Sequence, residues 1–161
     1  MTSKKLIYIA GPTGVGKTEL SIAIAKKLNT EIISCDSRQF FKELKIGTSP
    51  PSKKQLKEVN HHFIHNKSIH DVYNVGLYEK EATKVIKELF YKKDNIILVG
   101  GSGLYADSII YGIDDFPNIP AKIRDDIIKL HDSNGIEYLQ NKLKSVAVSY
   151  THLTLPTILP V

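Results

Sequence analysis

The stretch that decides the fold is LIYIAGPTGVGKTELSIAIAKKL, Leu6 to Leu28. At its centre, GPTGVGKT (Gly11, Pro12, Thr13, Gly14, Val15, Gly16, Lys17, Thr18) meets the pattern G-x-x-x-x-G-K-[ST] at every fixed position. Before it, Leu6 to Ala10 is a short apolar run closed by glycine, the pattern of a buried parallel strand. After it, Leu20, Ile22, Ala23, Ile24, Ala25 and Leu28 give a helical pattern, with Lys26 and Lys27 near the end and Asn29 as a stop. Strand, glycine-rich loop and helix are the context the motif demands. Gly11, Gly14 and Gly16 let the backbone turn tightly and present N–H groups to phosphate oxygens. The helix that follows offers its positive end to the same anion. Lys17 adds a point charge for terminal phosphates, and the Thr18 hydroxyl can ligate Mg²⁺.

Outward from this stretch, Glu31 to Cys35 is a second strand that ends at Asp36. Strand, loop, helix and strand begin an α/β fold: a P-loop NTPase-like parallel sheet flanked by helices. Lys45 to Glu58, with Gly47, Pro50 and Pro51, reads as a surface loop with a short helix after the prolines. His61 to His65 alternates weakly, as a strand would. Leu77 to Tyr91 has one apolar face at helical spacing. Asn95 to Val99 (NIILV) is a buried strand closed by Gly100 and Gly101, and Ser102 to Tyr111 reads as a helix. Two prolines inside FPNIP mark a boundary, and two amphipathic helices follow, Ala121 to His131 and Ile136 to Leu143. The expected organisation is a core over residues 1–116, the start of a helical insertion over 117–145, and a tail over 146–161.

Composition narrows the class. The chain has 161 residues, 42% hydrophobic and 24% charged, which suits one soluble domain of ordinary size. The net charge of +5 comes from lysine and reads first as a solvated surface, although a nucleic-acid partner is compatible with it. Cys35 is the single cysteine, so no intrachain disulfide can form. The apolar run after the first lysines is too short for a signal peptide, and none reaches the roughly 20 residues of a membrane helix. A cytosolic protein with no membrane partner is the expectation.

A P-loop specifies phosphate, not a reaction. The usual ATPase companion is an aspartate that ends a second buried strand and holds Mg²⁺. Here that strand ends IILVGG, with glycine in the place, which speaks against ATP or GTP hydrolysis. Asp36 ends the other strand and should lie at the carboxyl edge of the sheet, where ligands of open α/β folds bind. It can hold Mg²⁺ or accept a proton; equally, it can cap a helix over Ser37 to Leu44. Arg38 and Arg124 are the only arginines, suited to phosphate or to surface ion pairs. His61, His62 and His65 suggest a metal cluster, but with no cysteine beside them a structural role is the better reading. Cys35 reads as a small packing residue.

Several segments together resemble the tRNA dimethylallyltransferases (tRNA isopentenyltransferases). The second strand runs into CDSRQFFKELKIGTSPP, close to that family's D-S-x-Q, aromatic, I-G-T and proline; VNHHFI (Val59 to Ile64), YNVGLY (Tyr73 to Tyr78) and ILVGGSGLY (Ile97 to Tyr105) match further segments. The resemblance runs from Leu6 to about Ser145. It implies transfer of a dimethylallyl group from its diphosphate to the N6 amine of the adenosine 3′ of the anticodon, by a monomer. The loop Gly11 to Thr18 would hold the diphosphate, with Mg²⁺ on Thr18. Asp36 would accept the amine proton. Asp36, Ser37, Arg38, Gln39, Ser102 and Arg124 would meet the tRNA at its anticodon stem-loop. Ser102 stands where threonine is frequent, and Phe40–Phe41 replaces an aliphatic–tyrosine pair.

Two other readings stand beside this one: a P-loop small-molecule kinase, and a phosphate- or RNA-binding fragment without activity. The second is tied to the tail. Val146 to Val161 holds no Asp, Glu, Lys or Arg and carries Pro156 and Pro160, unlike the densely charged sequence before it. The expectation is that native sequence stops near Ser145, that the helical insertion lacks its partner helices, and that the chain alone does not modify tRNA.

Overall fold

A computed structural model describes residues 3–114 and 119–146. The chain divides into two compact units, Met1–Asp114 and Asp115–Val161. In the first, chain order runs β1 (Lys5–Ala10), α1 (Lys17–Leu28), β2 (Ile32–Ser34), α2 (Lys53–Glu58), β3 (His61–His62), α3 (Val75–Phe90), β4 (Asn95–Gly100) and α4 (Gly103–Ile110). The second holds α5 (Ala121–Val146).

The four strands form one parallel sheet in the order β1-β4-β2-β3. The alternation of side chains along β4 explains why helices cover both faces. Ile97, with Ile32 of β2, packs against Ile22 and Ala25 of α1. Ile96 and Leu98, with Ile33, face the opposite core of Tyr78, Ala82 and Ile86 from α3 and Ala106 from α4. A strand covered on both sides has no polar face to show, which is why NIILV reads as a continuous apolar run. Register then places the functional ends together: Ala10 pairs with Gly100, and Ser34 with Val99. The loops after β1, β2 and β4 therefore leave the sheet at one edge.

α1 covers the predicted Lys17 to Leu28, and Asn29 ends it in the left-handed conformation (φ 48°), its N–H bonding the Ala25 and Lys26 carbonyls. This is the usual C-terminal stop in which asparagine replaces glycine. α2 follows the prolines and starts with a full capping box between Ser52 and Gln55.

Of the two local readings left open for Asp36, the helix cap gives way. The segment after Asp36 is a run of turns, not a helix. Its backbone bonds go to a distant strand-like segment instead: His65 N–H to Gln39 O, Lys67 N–H to Phe40 O, and Lys42 N–H to Lys67 O. Phe40 drives this. It is fully buried, stacks on Tyr78 at 5.0 Å, and meets Phe63, Tyr73 and Tyr105 edge-on. Burying a ring of that size outweighs the modest propensity of a short helix.

In the second unit the two expected helices abut. α5 is continuous from Ala121 except at Gly135, whose φ of 75° and ψ of 177° break the helix at one residue. Ser133 and Asn134 belong to the first arm, where Asn134 donates to the Leu130 carbonyl. None of α5 is buried, and Ile123, Ile127, Ile136 and Leu143 are exposed. The tail reading concerns residues that, from 147 on, lie outside the described ones.

Candidate functional site

The loop from Gly11 to Thr18 takes the shape its glycines permit. Gly14 and Gly16 have φ of 84° and 92°, and Gly16 leads directly into α1. Those values are open to glycine and strained for other residues. The Lys17 ammonium is held at the loop's mouth, donating to the carbonyls of Gly11 and Pro12, each at 2.7 Å. A cavity of about 380 Å³ opens there, lined by Gly14, Gly16, Lys17, Thr18, Asp36 and the Thr48–Pro50 segment among others.

Asp36 leaves β2 into a tight turn. Its Oδ1 accepts from the Arg38 N–H at 3.0 Å, and Gln39 N–H donates to the Asp36 carbonyl. The carboxylate thus closes a local Asx turn and caps no helix. The same residue lines a second cavity of about 390 Å³, with Ser37, Arg38, Gly101 and Ser102 on its walls. Thr13, Asp36 and Thr48 are the residues the two cavities share. Asp36 stands between a phosphate cradle and a pocket walled by hydroxyls and a guanidinium.

Ser102 reaches this turn from the start of α4. Its Oγ donates to Ser37 Oγ at 3.0 Å and accepts from the Ser37 N–H at 3.1 Å. The two serines, 65 residues apart, tie the β4 end to the Asp36 turn.

The glycine at the end of β4 has a backbone reason. A Cβ on Gly100 would sit 2.6 Å from Cys35 Sγ, 2.7 Å from the Cys35 carbonyl carbon and 2.9 Å from the Asp36 nitrogen. The place an ATPase gives to its β-strand aspartate is filled here by the neighbouring chain at Cys35 and Asp36.

Of the expected site residues, the loop with Asp36, Ser37, Arg38, Gln39 and Ser102 converges on one edge. Arg38 is exposed. Arg124 is exposed on α5 in the second unit. Two of the three histidines have side-chain partners: His62 Nε2 pairs with Glu31 at 2.7 Å, and His61 Nδ1 with the Val59 carbonyl at 2.9 Å. Among the described residues no group of three or more His, Cys, Asp or Glu is placed to hold a metal. The oxygen-bearing residues that line the cavity include Thr18, Glu19 and Asp36. Hard oxygen donors of this kind fit Mg²⁺, which keeps several waters and takes other ligands from substrate phosphates. Sequence reading missed the wall at Thr48 and Ser49 and the anchoring role of Phe40. The I-G-T-x-P run was visible as a pattern but carried no sign of what it touches.

Cys35 is fully buried behind this edge, and burial pushes its thiol up to about 12, with the Asp36 charge adding to the effect. Native protein should therefore leave Cys35 unalkylated by iodoacetamide at neutral pH, with labelling complete in denaturant, since the thiolate is the nucleophile. Mass spectrometry reads this directly; rapid native labelling would mean that the β2 edge opens.

Comparison with known proteins adds an independent finding. A family model described as IPP transferase matches residues 39–157. The tRNA dimethylallyltransferase of Flavobacterium psychrophilum is 57% identical over 145 residues, covering 90% of this chain and 47% of that protein. The tRNA dimethylallyltransferase 1 of Bacteroides fragilis is 45% identical over 150 residues, 93% of this chain and 50% of that one. Among solved structures, the full-length tRNA isopentenylpyrophosphate transferase of Bacillus halodurans aligns with a TM-score of 0.67 at 32% identity, over 91% of this chain and 49% of that chain. A eukaryotic dimethylallyltransferase acting on tRNA gives 0.67 at 31% identity over 76% of this chain. The chain spans about half the length of the curated relatives it matches. The matched span of the family model takes in part of the uncharged stretch, as far as residue 157.

Proposed function

The chain belongs to the IPP transferase family, and from that premise we propose that its P-loop edge is the donor half of a tRNA dimethylallyltransferase active site. The observation that carries the reading is the position of Asp36 in the wall of both cavities. One cavity offers the fittings for a diphosphate; the other offers hydroxyls and Arg38 to a polar acceptor.

The chemistry follows from that placement. Backbone N–H groups of the loop and Lys17 hold the diphosphate of dimethylallyl diphosphate. Thr18 would hold Mg²⁺, which when bound neutralises charge on the leaving diphosphate. The exocyclic N6 of a tRNA adenosine forms a bond to the allylic C1 as the C1–O bond breaks and diphosphate departs. Asp36 takes the proton that the amine must lose. The acceptor has to leave its stack to reach a carbon held inside the protein, as bases do in other base-modifying enzymes. Ser37, Arg38, Ser102 and Arg124 are the tRNA-facing residues of this reading, and the reaction belongs in the cytosol. A hydrolase has to aim water at a γ-phosphate; here Gly100 and the packed Cys35–Asp36 backbone stand where its aspartate would be.

Donor choice is the test. Titration calorimetry with Mg²⁺ should show dimethylallyl diphosphate bound more tightly than ATP. ATP tighter by tenfold, about 1.4 kcal/mol, would overturn the donor and favour the kinase reading.

A further inference from the structure

Gln39 is the residue whose surroundings depart furthest from the role its sequence position suggests. Its side-chain amide spends both N–H donors inside the protein: Nε2 donates to the Thr48 carbonyl at 3.0 Å and to the Ser49 carbonyl at 3.2 Å. A primary amide has two such donors and no more. Its Oε1 stands 3.5 Å from Ser34 Oγ, on the last residue of β2, a long contact beside the two donated bonds. The amide therefore spans from the end of β2 to the segment that walls the phosphate cradle, and it has no donor left for an RNA base or phosphate.

What it holds needs holding. Gly47 and Ser49 both lie in the left-handed region, at φ 79° and 44°, and Ser49 is not a glycine. Such a conformation persists where its surroundings over-determine it. Thr48 is itself buried, its hydroxyl bonded to the Leu44 carbonyl at 2.6 Å. Among the hydrogen bonds of the described residues, those of the Gln39 amide tie this segment to the turn that follows β2. Thr48, Ser49 and Pro50 then face Lys17 and Thr18 across the cavity.

We infer that Gln39 is a positioning residue for the donor: its amide clamps residues 47–50 as the far wall of the phosphate cavity and so sets affinity for the diphosphate substrate, and it is not a tRNA contact. This rests on the donor reading above. The decisive variant is Gln39→Met, which keeps length and lacks charge, donors and acceptor; Gln39→Asn, one methylene shorter, is the second variant should methionine impair folding. Both are made in the 161-residue chain, and hydrogen exchange of the backbone is read beside binding of dimethylallyl diphosphate with Mg²⁺. The expected result is exchange at residues 45–50 at least tenfold faster, β4 protection unchanged, and donor affinity weaker by about tenfold, the size of one to two lost hydrogen bonds. Unchanged loop exchange, or faster exchange with unchanged donor affinity, overturns the clamp. A wild-type chain that binds no dimethylallyl diphosphate overturns the donor reading with it, and the exchange comparison then shows whether the clamp survives as structure alone.

Discussion

Replacing Asp36 by asparagine should slow dimethylallyl transfer by a hundredfold or more, the usual loss on removing a general base, while tRNA binding and stability stay close to wild type. The geometry makes asparagine the informative choice. In the structure its Oδ1 closes the turn by accepting from the Arg38 N–H, and the residue lines both cavities; in the proposed reaction its carboxylate also takes the amine proton. An asparagine Oδ1 keeps the turn bond and cannot serve as the base, because an amide does not take up a proton near neutral pH. Asp36→Ala loses both, so it should be equally slow and also somewhat less stable, by about 1 kcal/mol for the lost turn bond. The measurement is single-turnover transfer at saturating tRNA, in a protein of full family length made by joining residues 1–145 to the remainder of the Flavobacterium psychrophilum relative. Thermal melting of the two variants runs alongside. If Asp36→Asn transfers at the wild-type rate, the carboxylate is a turn-former only and the base lies elsewhere.

The same pair of variants shows why this part of the site was half legible. The position of Asp36 at the sheet edge follows from a short apolar strand and the rule that ligands bind beyond strand ends. Whether it capped a helix or closed a turn did not follow, because that depends on Phe40. Phe40 is drawn into a cluster with Tyr73, Tyr78 and Tyr105, residues 33 to 65 positions away, and no local pattern announces that contact. The P-loop and α1 were legible for the opposite reason. The turns of the loop and the stop of the helix are set within a few residues, from the glycines to the Asn29 cap. β4 was legible because burial on both faces writes itself into an unbroken apolar run. The cradle's far wall was not. Thr48 and Ser49 are held by an amide nine and ten residues upstream through their carbonyls, and backbone carbonyls leave no trace in residue identity.

Gly100 is where a sequence argument from chemistry meets a stronger one from packing, and it gives the largest expected effect on stability. Glycine at the end of β4 argued against an ATPase because an aspartate was missing. The structure shows that no side chain fits at all. The Cβ of an alanine would sit 2.7 Å from the Cys35 carbonyl carbon and 2.9 Å from the Asp36 nitrogen, and both are backbone atoms. They cannot step aside freely, because Cys35 N–H is bonded to the Val99 carbonyl at 2.8 Å, in the ladder that pairs β2 with β4. Relief requires the strands to part at the edge where Asp36 begins its turn. Overpacking of this kind costs about 1–3 kcal/mol and sometimes more, and a clash with backbone belongs at the upper end. Gly100→Ala should therefore lower the melting temperature by about 6–12 °C, at roughly 2–4 °C per kcal/mol for a chain of this size, and should impair transfer by displacing Asp36. Two controls separate backbone from side chain. Gly101→Ala should be tolerated, since its Cβ would meet only the Gly11 carbonyl oxygen at 3.5 Å, an ordinary contact. Adding Cys35→Ala to Gly100→Ala removes the 2.6 Å contact with Sγ but neither backbone contact, so it should not restore stability. A Gly100→Ala protein that melts within 2 °C of wild type, or a full rescue by Cys35→Ala, would show that the edge yields and that glycine is there for some other reason.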